Sequence, residues 1–540
     1  LRLQKVEARA LGRAQAEHSK GEEQGAKAVE DDDGDQQLAM DGPRSGLRLL
    51  TVRPSRRGGK PGGASPRRHD GAVFAPFDPR EHAMAVFNNV LELIGNTPIV
   101  RCQRMDTGPC ELYFKLESMN PGGSIKDRIG LSMIEDAERR GLLKPGATIV
   151  EGTAGNTGLA LALVAQQKGY RLILVVPDKM SREKIFNLRA MGAEVRLTRS
   201  DVTKGHPEYY QDMARRIAEE TPGAFYINQF GNESNPYAHE FGTGPEIWQQ
   251  MQHDMDAIVF GVGSGGTLTG LSRFFARAAP HVELVVADPV GSVLSKYVNE
   301  KVLDATGGSW TVEGIGGDYL TAISNFDHVR KAYSIPDRES YEVARELLRQ
   351  EGILGGSSTG TVVAAALRYC REQTKKKKVV AFVCDTGNKY LSKMYNDYWM
   401  RDNGYLERAS TGDLRDLISR PYAERDTVVV RPNDTLAVAY QRMKLYDVSQ
   451  LPVMDGEQIV GIVDESDVLM KVYGNPCQFQ CLVSEAMITQ LDVVDVRADI
   501  QDLLPVFGRG HVAIVVDGER FVGLITRIDL LNYLRRRGSA

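Results

Sequence analysis

Between residues 85 and 405 short apolar runs alternate with longer amphipathic stretches. The runs at 147–151, 171–176, 257–260, 282–287 and 379–383 are nearly continuous in apolar residues and do not alternate. A strand covered on both faces reads this way, so these are predicted to be buried strands of a largely parallel sheet. Segments 158–168, 181–192 and 208–220 lie between them with helical periodicity. Strand and helix in regular succession predict a doubly wound α/β fold. Ligands on such sheets bind beyond the carboxyl ends of the strands, so the turns entering the helices are the places to look for chemistry.

After Tyr405-Leu-Glu-Arg408 the pattern restarts as an internal repeat, 412–471 and 482–537. The first half carries runs at 427–430 and 451–454 and then Gly461-Ile-Val-Asp-Glu-Ser-Asp467. The second carries 491–494, 512–516 and Gly523-Leu-Ile-Thr-Arg-Ile-Asp529 in the same order. Residues 1–84 show neither period. They hold an acidic run at 31–33 and a Gly-, Pro- and Arg-rich segment at 53–68, and read as a disordered tail. Met84 stands just before the first patterned segment and is the expected start of translation.

Length and composition narrow the classes. The chain has 540 residues, 42% of them hydrophobic, which suits three or four domain-sized units. Lys+Arg number 67 against Asp+Glu 71, so a dedicated nucleic-acid binder is not expected, and the basic tail segment reads as solvated. No run of about 20 apolar residues predicts a membrane helix. Six cysteines are too few for a disulfide scaffold, which places the chain in a reducing, cytoplasmic compartment. Cys102, Cys110, Cys370 and Cys384 sit among apolar neighbours and read as buried thiols. Cys477 and Cys481 lack a second pair and read as loop thiols, so no metal is expected. Lys375–Lys378 reads as a solvated run, and His239 and His253 as surface or capping residues.

Four motifs fall at strand-to-helix turns. Gly261-Val-Gly-Ser-Gly-Gly-Thr267 opens a helix and suits an anion, since glycines admit close approach and the helix start offers unpaired N–H groups. With Asp288 ending the next strand, a dinucleotide and a single phosphate fit it equally well. Asn120-Pro-Gly-Gly-Ser-Ile-Lys-Asp-Arg128 places Lys126 near a helix start, where the dipole disfavours an ammonium. Such an amine can carry a carbonyl compound, although a lysine there is, taken alone, most simply a solvated one. Glu151-Gly-Thr-Ala-Gly-Asn-Thr-Gly158 makes a donor-rich pocket for a carboxylate or ring oxygen, or an ordinary capped helix start. Gly355-Gly-Ser-Ser-Thr-Gly360 presents Ser358, which suits a ring nitrogen or a helix cap.

Taken together and in this order, these motifs, with Leu93-Ile-Gly-Asn-Thr-Pro98 and Lys115-Leu-Glu-Ser-Met-Asn-Pro-Gly-Gly-Ser-Ile-Lys-Asp-Arg128, make residues 86–405 resemble the fold-type II pyridoxal-phosphate enzymes, in the group of cysteine synthases and cystathionine β-synthases. The resemblance implies two doubly wound α/β subdomains over 85–405. It implies pyridoxal 5'-phosphate as cofactor, with Lys126 as the Schiff-base lysine, Asn156 facing the ring hydroxyl, Gly263, Ser264, Gly265, Gly266 and Thr267 holding the phosphate, and Ser358 at the ring nitrogen. Thr153, Ala154, Asn156, Thr157 and Gln229 are the implied substrate contacts. The dinucleotide reading falls away, since it explains neither Lys126 nor Ser358. The implied reaction is β-replacement: Lys126 takes the α-proton, the β-substituent leaves and a thiol adds. A neutral Ser358 at the ring nitrogen weakens the electron sink and suits β-elimination.

The C-terminal repeat resembles a tandem pair of CBS domains, a Bateman module, over 412–471 and 482–537. Such pairs imply an adenosine-containing ligand, S-adenosylmethionine among them. Thr526 and Asp529 match the ligand motif of the family, while the first repeat keeps Asp467 but has Asp464 where Ser or Thr is usual. The domain order resembles the cystathionine β-synthase branch, with serine and homocysteine as substrates and a homodimer or homotetramer as the assembly. Ala154, Phe230 in Asn228-Gln-Phe-Gly-Asn232, and Gly317 resemble the cysteine synthases instead, which leaves O-acetylserine and sulfide open as donor and acceptor. Animal members of the group carry an N-terminal Cys-Pro haem motif. No cysteine precedes Cys102, so no haem is expected.

Overall fold

The computed structural model describes residues 86–538 apart from 154, 179, 181, 304–307, 408 and 409. The expected tail, the start at Met84, and Ala154 lie outside the described residues.

Among the described residues ten strands build the larger part: β1 (Ile99–Arg101), β2 (Glu111–Leu116), β3 (Thr148–Gly152), β4 (Arg171–Pro177), β5 (Glu194–Thr198), β6 (Phe225–Tyr226), β7 (Ala257–Gly261), β8 (Glu283–Pro289), β9 (Val329–Ile335) and β10 (Lys378–Val383). They form two sheets, one of order β1-β2-β10-β7-β8-β9 and one of order β5-β4-β3-β6. Only β1 runs antiparallel to its neighbour. The central strands are buried almost throughout, as expected of a parallel sheet covered by helices on both faces.

Four helices start where strands of these sheets end or where a loop returns to them: α1 (Lys126–Arg139), α2 (Asn156–Lys168), α3 (Gly266–Ala278) and α4 (Ser357–Arg371). α2 and α4 are rich in Ala, Gly and small hydroxyl residues, and α4 is buried along most of its length. Small side chains let these helices lie against the sheets, and Gly130 of α1 packs directly on Ala160 of α2. Each sheet has its own core, one around Ile258, Val259, Val285, Val380 and Phe382, the other around Ile129, Ile149, Leu161 and Leu174.

The C-terminal part contains two small units. In the first, Gln450–Asp455 and Gln458–Asp464 form a hairpin that leads into α5 (Glu465–Val472). In the second, Ala513–Asp517 and Arg520–Ile525 form a hairpin that leads into α6 (Arg527–Gly538), with Val493–Asp495 alongside in parallel. Both hairpins carry an irregularity at matching places, Val453/Met454 and Val515/Val516, so the sequence repeat is a structural repeat. The expected strand at 427–430 does not form; Val430 alone bridges to Val453. Its partner segment holds Pro452, which has no N–H to give to residue 428, so the ladder stops after one step. Ile514 stands at the equivalent place in the second unit and donates to the carbonyl of Asp492. The last helix of the larger part, Asp397–Asp402, meets α6 where an Arg535 guanidinium nitrogen donates to the Asp402 carbonyl at 2.9 Å.

Candidate active site

The loop between β2 and α1 is held by a buried ionic cluster. Arg128 is bonded on one side to both Glu117 oxygens at 2.7 Å and on the other to both Glu246 oxygens, at 2.8 and 3.0 Å. The Lys115 ammonium pairs with Glu246 and donates to the Thr97 carbonyl at 2.6 Å. Two cations face two carboxylates, so the charges balance, and the bidentate geometry makes the bonds strong. Arg128 holds the Glu117 carboxyl below its ordinary range despite burial. This cluster fixes the first turn of α1 and with it Lys126. The N-cap, Ile125, gives no side-chain bond to that helix. Among the described residues Lys126 Nζ has no hydrogen-bond partner. Burial lowers its pKa, with the Asp385 and Cys384 side chains acting in the opposite sense.

At the end of β7 the chain turns through Gly265, whose φ of +91° suits glycine, and enters α3 with no side-chain cap. A Cβ on Gly265 would collide with Ser324 and Thr321, and one on Gly266 with the Asn235 side chain. The walls of the turn are themselves fixed. Asn235 Nδ2 donates to Ser264 Oγ at 2.9 Å and to the Gln229 carbonyl at 2.8 Å, and Thr321 Oγ1 donates to the Ser264 carbonyl at 2.7 Å. Thr267 Oγ1 lies 3.2 Å from His239 Nε2, whose Nδ1 lies 2.9 Å from Thr243 Oγ1. His239 is therefore not a surface or capping residue: it is fully buried. The π-helical stretch His239–Thr243 turns it inward, and burial drives its pKa down to about 3, so the ring is neutral. His253 is exposed, as expected.

The turn after β3 adds Thr153 and Thr157, both buried, with Asn156 between them at the start of α2. Thr157 Oγ1 donates to Gln229 Oε1 at 2.8 Å. Gln229 Nε2 and the Asn228 N–H donate to the Glu151 carboxyl at 3.3 and 2.8 Å. Glu151 is fully buried with no cation, so desolvation pushes its pKa up to about 8. Asn156 Nδ2 donates to Asp385 Oδ2 at 2.8 Å, and Asn156 Oδ1 accepts from Lys389 at 2.8 Å. Ser358, at the start of α4, is buried beside the Cys384 thiol, which burial pushes up to about 12.

The predicted residues thus converge through shared partners: Ser264 to Asn235, Asn235 and Thr157 to Gln229, Asn156 to Asp385, Ser358 to Cys384, and Lys126 under the influence of the last two. Asn235, His239, Asp385 and Lys389 were not foreseen. Asp385 follows the end of β10, and the strand-end rule points to it. For Asn235, His239 and Lys389 no local pattern gives a signal.

The regulatory candidates belong to the C-terminal units. Asp529 accepts from the Thr526 N–H at 2.8 Å, from the Thr526 hydroxyl and from Ser419. Asp467 accepts from the Asp464 N–H at 2.9 Å within a capping box. Of the four thiols expected to be buried, Cys110 and Cys370 are, while Cys102 and Cys384 are only partly so. The lysine run is not simply solvated: Lys376, Lys377 and Lys378 pair with Glu111, Glu283 and Asp254. Among the described residues no cluster of three metal-ligating side chains occurs, and no helix is long and apolar enough to cross a membrane.

Open helix starts at Gly265 and Gly356, a glycine cradle that any Cβ would fill, and a half-buried amine whose pKa desolvation lowers suit a phosphorylated carbonyl compound. The residues present fit pyridoxal phosphate.

Comparison with known proteins agrees. Residues 90–385 match the family model of pyridoxal-phosphate dependent enzymes, and residues 414–474 and 483–536 each match the CBS domain. The chain is 33% identical to the cystathionine beta-synthase of Apis mellifera over 471 residues, covering 84% of this chain and 92% of that protein. It is 39% identical to cysteine synthase 1 of Neurospora crassa over 348 residues, 62% of this chain and 92% of that protein. Two solved structures resemble it: a hydrogen sulfide-producing enzyme from Fusobacterium nucleatum (35% identity, TM-score 0.53, 57% of this chain and 99% of that one) and O-ureido-L-serine synthase (33% identity, TM-score 0.54, 61% and 98%). The latter two and the cysteine synthase cover 57–62% of this chain, about the extent of the larger part, whereas the Apis alignment of 471 residues is too long to be confined to it. The chain belongs to the pyridoxal-phosphate dependent enzymes, in the cystathionine β-synthase family.

Proposed function

We propose that this enzyme carries out β-replacement, joining L-serine and L-homocysteine into L-cystathionine. The observation that supports the reading is that Lys126, Asn156, Ser358 and the 263–267 turn all stand at the starts of α1–α4 and are linked through Asn235, Gln229, Asp385 and Cys384, although Ser358 follows a helix and not a strand, in a chain that continues into a CBS pair. Pyridoxal phosphate, when bound, supplies the electron sink. Lys126 is the residue that would anchor the cofactor, and its Nζ, its proton held less tightly because of desolvation, would be the base for the α-proton of the amino acid once freed from it. Backbone N–H groups of Gly263, Ser264, Gly265, Gly266 and Thr267 would hold the phosphate. Asn156 would face the ring oxygen and Ser358 the ring nitrogen. Thr153, Ala154, Asn156, Thr157 and Gln229 hold the substrate carboxylate, and the Thr157–Gln229–Glu151 chain keeps that loop in place.

The catalytic part extends over 85–405 and the CBS domains over 412–471 and 482–537. The pair takes an adenosyl ligand, such as S-adenosylmethionine, at Thr526 and Asp529 with Asp467. The enzyme works in the cytoplasm as a homodimer or homotetramer.

A substrate matrix tests the reaction. Serine and O-acetylserine are each offered with homocysteine and with sulfide, and products are identified by mass. Cystathionine from serine and homocysteine, at the highest kcat/KM, supports the reading. A clear preference for O-acetylserine and sulfide makes the enzyme a cysteine synthase with an attached sensor. Unchanged rate, assembly and response to S-adenosylmethionine after deletion of 412–540 removes the regulatory claim.

A further inference from the structure

Lys389 lies in the turn Gly387–Tyr390 that follows β10, and only 6% of the residue is exposed. Its Nζ donates to the Gly122 carbonyl at 3.0 Å, the Gly123 carbonyl at 3.2 Å and Asn156 Oδ1 at 2.8 Å. On its other side the Asn156 amide donates from Nδ2 to Asp385 Oδ2 at 2.8 Å, an oxygen that also accepts from the Tyr390 hydroxyl at 2.7 Å. The charges facing Lys389 are Asp385, Asp127 and Lys184.

A primary amide between an ammonium and a carboxylate has one stable orientation. A flip would set its NH2 against the cation and its C=O against the anion. The amide carries two N–H bonds, and Asp385 takes one of them. The other is left as a donor of fixed direction. The bonds to Gly122 and Gly123 also tie Lys389 to the turn that leads into Lys126.

We propose that Lys389 is a positioning residue: together with Asp385 it locks the Asn156 amide so that the second Nδ2–H serves the ring oxygen of pyridoxal phosphate, and its charge favours that oxygen as an anion. The inference rests on the assignment of Asn156 to the ring oxygen. Lys389 acts through Asn156 and its field, and need not touch the cofactor.

The test uses the purified holoenzyme with Lys389→Met, Lys389→Arg, Asn156→Ala and the double variant Lys389→Met/Asn156→Ala. Absorbance is read across a pH series and pyridoxal phosphate affinity is measured by titrating the stripped protein. Lys389→Met is expected to move intensity from the visible band of the bound cofactor to the near-ultraviolet band, to shift the pH midpoint between them, and to weaken cofactor affinity about tenfold, the loss of one charge-assisted hydrogen bond. Lys389→Arg restores most of the visible band. The double variant shows no further loss of cofactor affinity beyond Asn156→Ala, because the hydrogen-bond lock acts through that amide, while loss of the ammonium's field adds a smaller shift of the bands. A wild-type spectrum in Lys389→Met beside an altered one in Asn156→Ala overturns the proposal but leaves the Asn156 assignment standing. A wild-type spectrum and affinity in Asn156→Ala overturns the assignment itself. If Lys389→Met does not fold, Lys389→Gln keeps a donor without the charge and is expected to shift the bands the same way by less; no shift overturns the proposal.

Discussion

The four helices that enter the candidate site begin differently from three of the helical segments in the CBS pair. α1, α2, α3 and α4 start after Ile125, Gly155, Gly265 and Gly356, none of which caps the helix with a side chain. In the CBS pair Thr435, Asp464 and Asp499 each accept a backbone N–H of the helix or turn they open. An uncapped N-terminus leaves up to four N–H groups without an intrahelical partner, which costs free energy unless water or a ligand takes them. A capped one is satisfied by the chain itself. At the four starts around the candidate site no N-cap side chain takes these N–H groups, while at Thr435, Asp464 and Asp499 the chain supplies the acceptor itself.

The largest effect that would break this comparison concerns Lys126. Lys126→Ala is expected to lower turnover by more than ~10²-fold in steady-state assays, with the fold intact by circular dichroism. Next, Gly266→Ala drives a methyl group into Asn235 beside an open helix start, and is expected to weaken pyridoxal phosphate at least tenfold (~1.4 kcal/mol) in titrations of the stripped protein. Unchanged affinity would mean that the cradle is not the phosphate site.

Glu151 sharpens the contrast, since the catalytic part buries a carboxyl that has no cation. Its pKa is raised from 4.5 to about 8, so the folded state binds the extra proton. Its contribution is full below pH 4.5 and is lost as pH rises toward 8, at up to ~1.4 kcal/mol per pH unit. Chemical denaturation between pH 6 and 7 is expected to show wild type losing about that much relative to Glu151→Gln. The smallest effect falls in the CBS pair. Asp464→Ala removes a cap and is expected to cost about 1 kcal/mol in the unfolding of the first repeat, with the cofactor spectrum unchanged.

Much of this was legible along the chain. Buried parallel strands announce themselves as continuous apolar runs, and the observed β3, β4, β7, β8 and β10 lie within two residues of the predicted ones. The glycine-rich segments 261–267 and 355–360 stand at helix starts without a side-chain cap, which agrees with a backbone that must admit an anion and so excludes side chains locally. Other features left no trace. The inward turn of His239 depends on a π-helical stretch that shifts its angular position, and the short reach of 427–430 depends on a proline in a different strand. No local pattern singles out Lys389, and only the fold surrounds it with the Gly122, Gly123 and Asn156 acceptors.

By itself the sequence determined what local chemistry can determine: which segments are buried on both faces, which turns stay open at a helix start, and that a second half repeats. Such properties depend on neighbours a few residues away. The tertiary structure decided which residues meet. Asp385, Lys389 and Asn156 are separated by 229 and 233 positions from the asparagine's side, yet share one amide. Arg128 and Glu246 lie 118 positions apart and together set the loop of Lys126. Contacts of that span follow from how two sheets face each other, which no local pattern encodes.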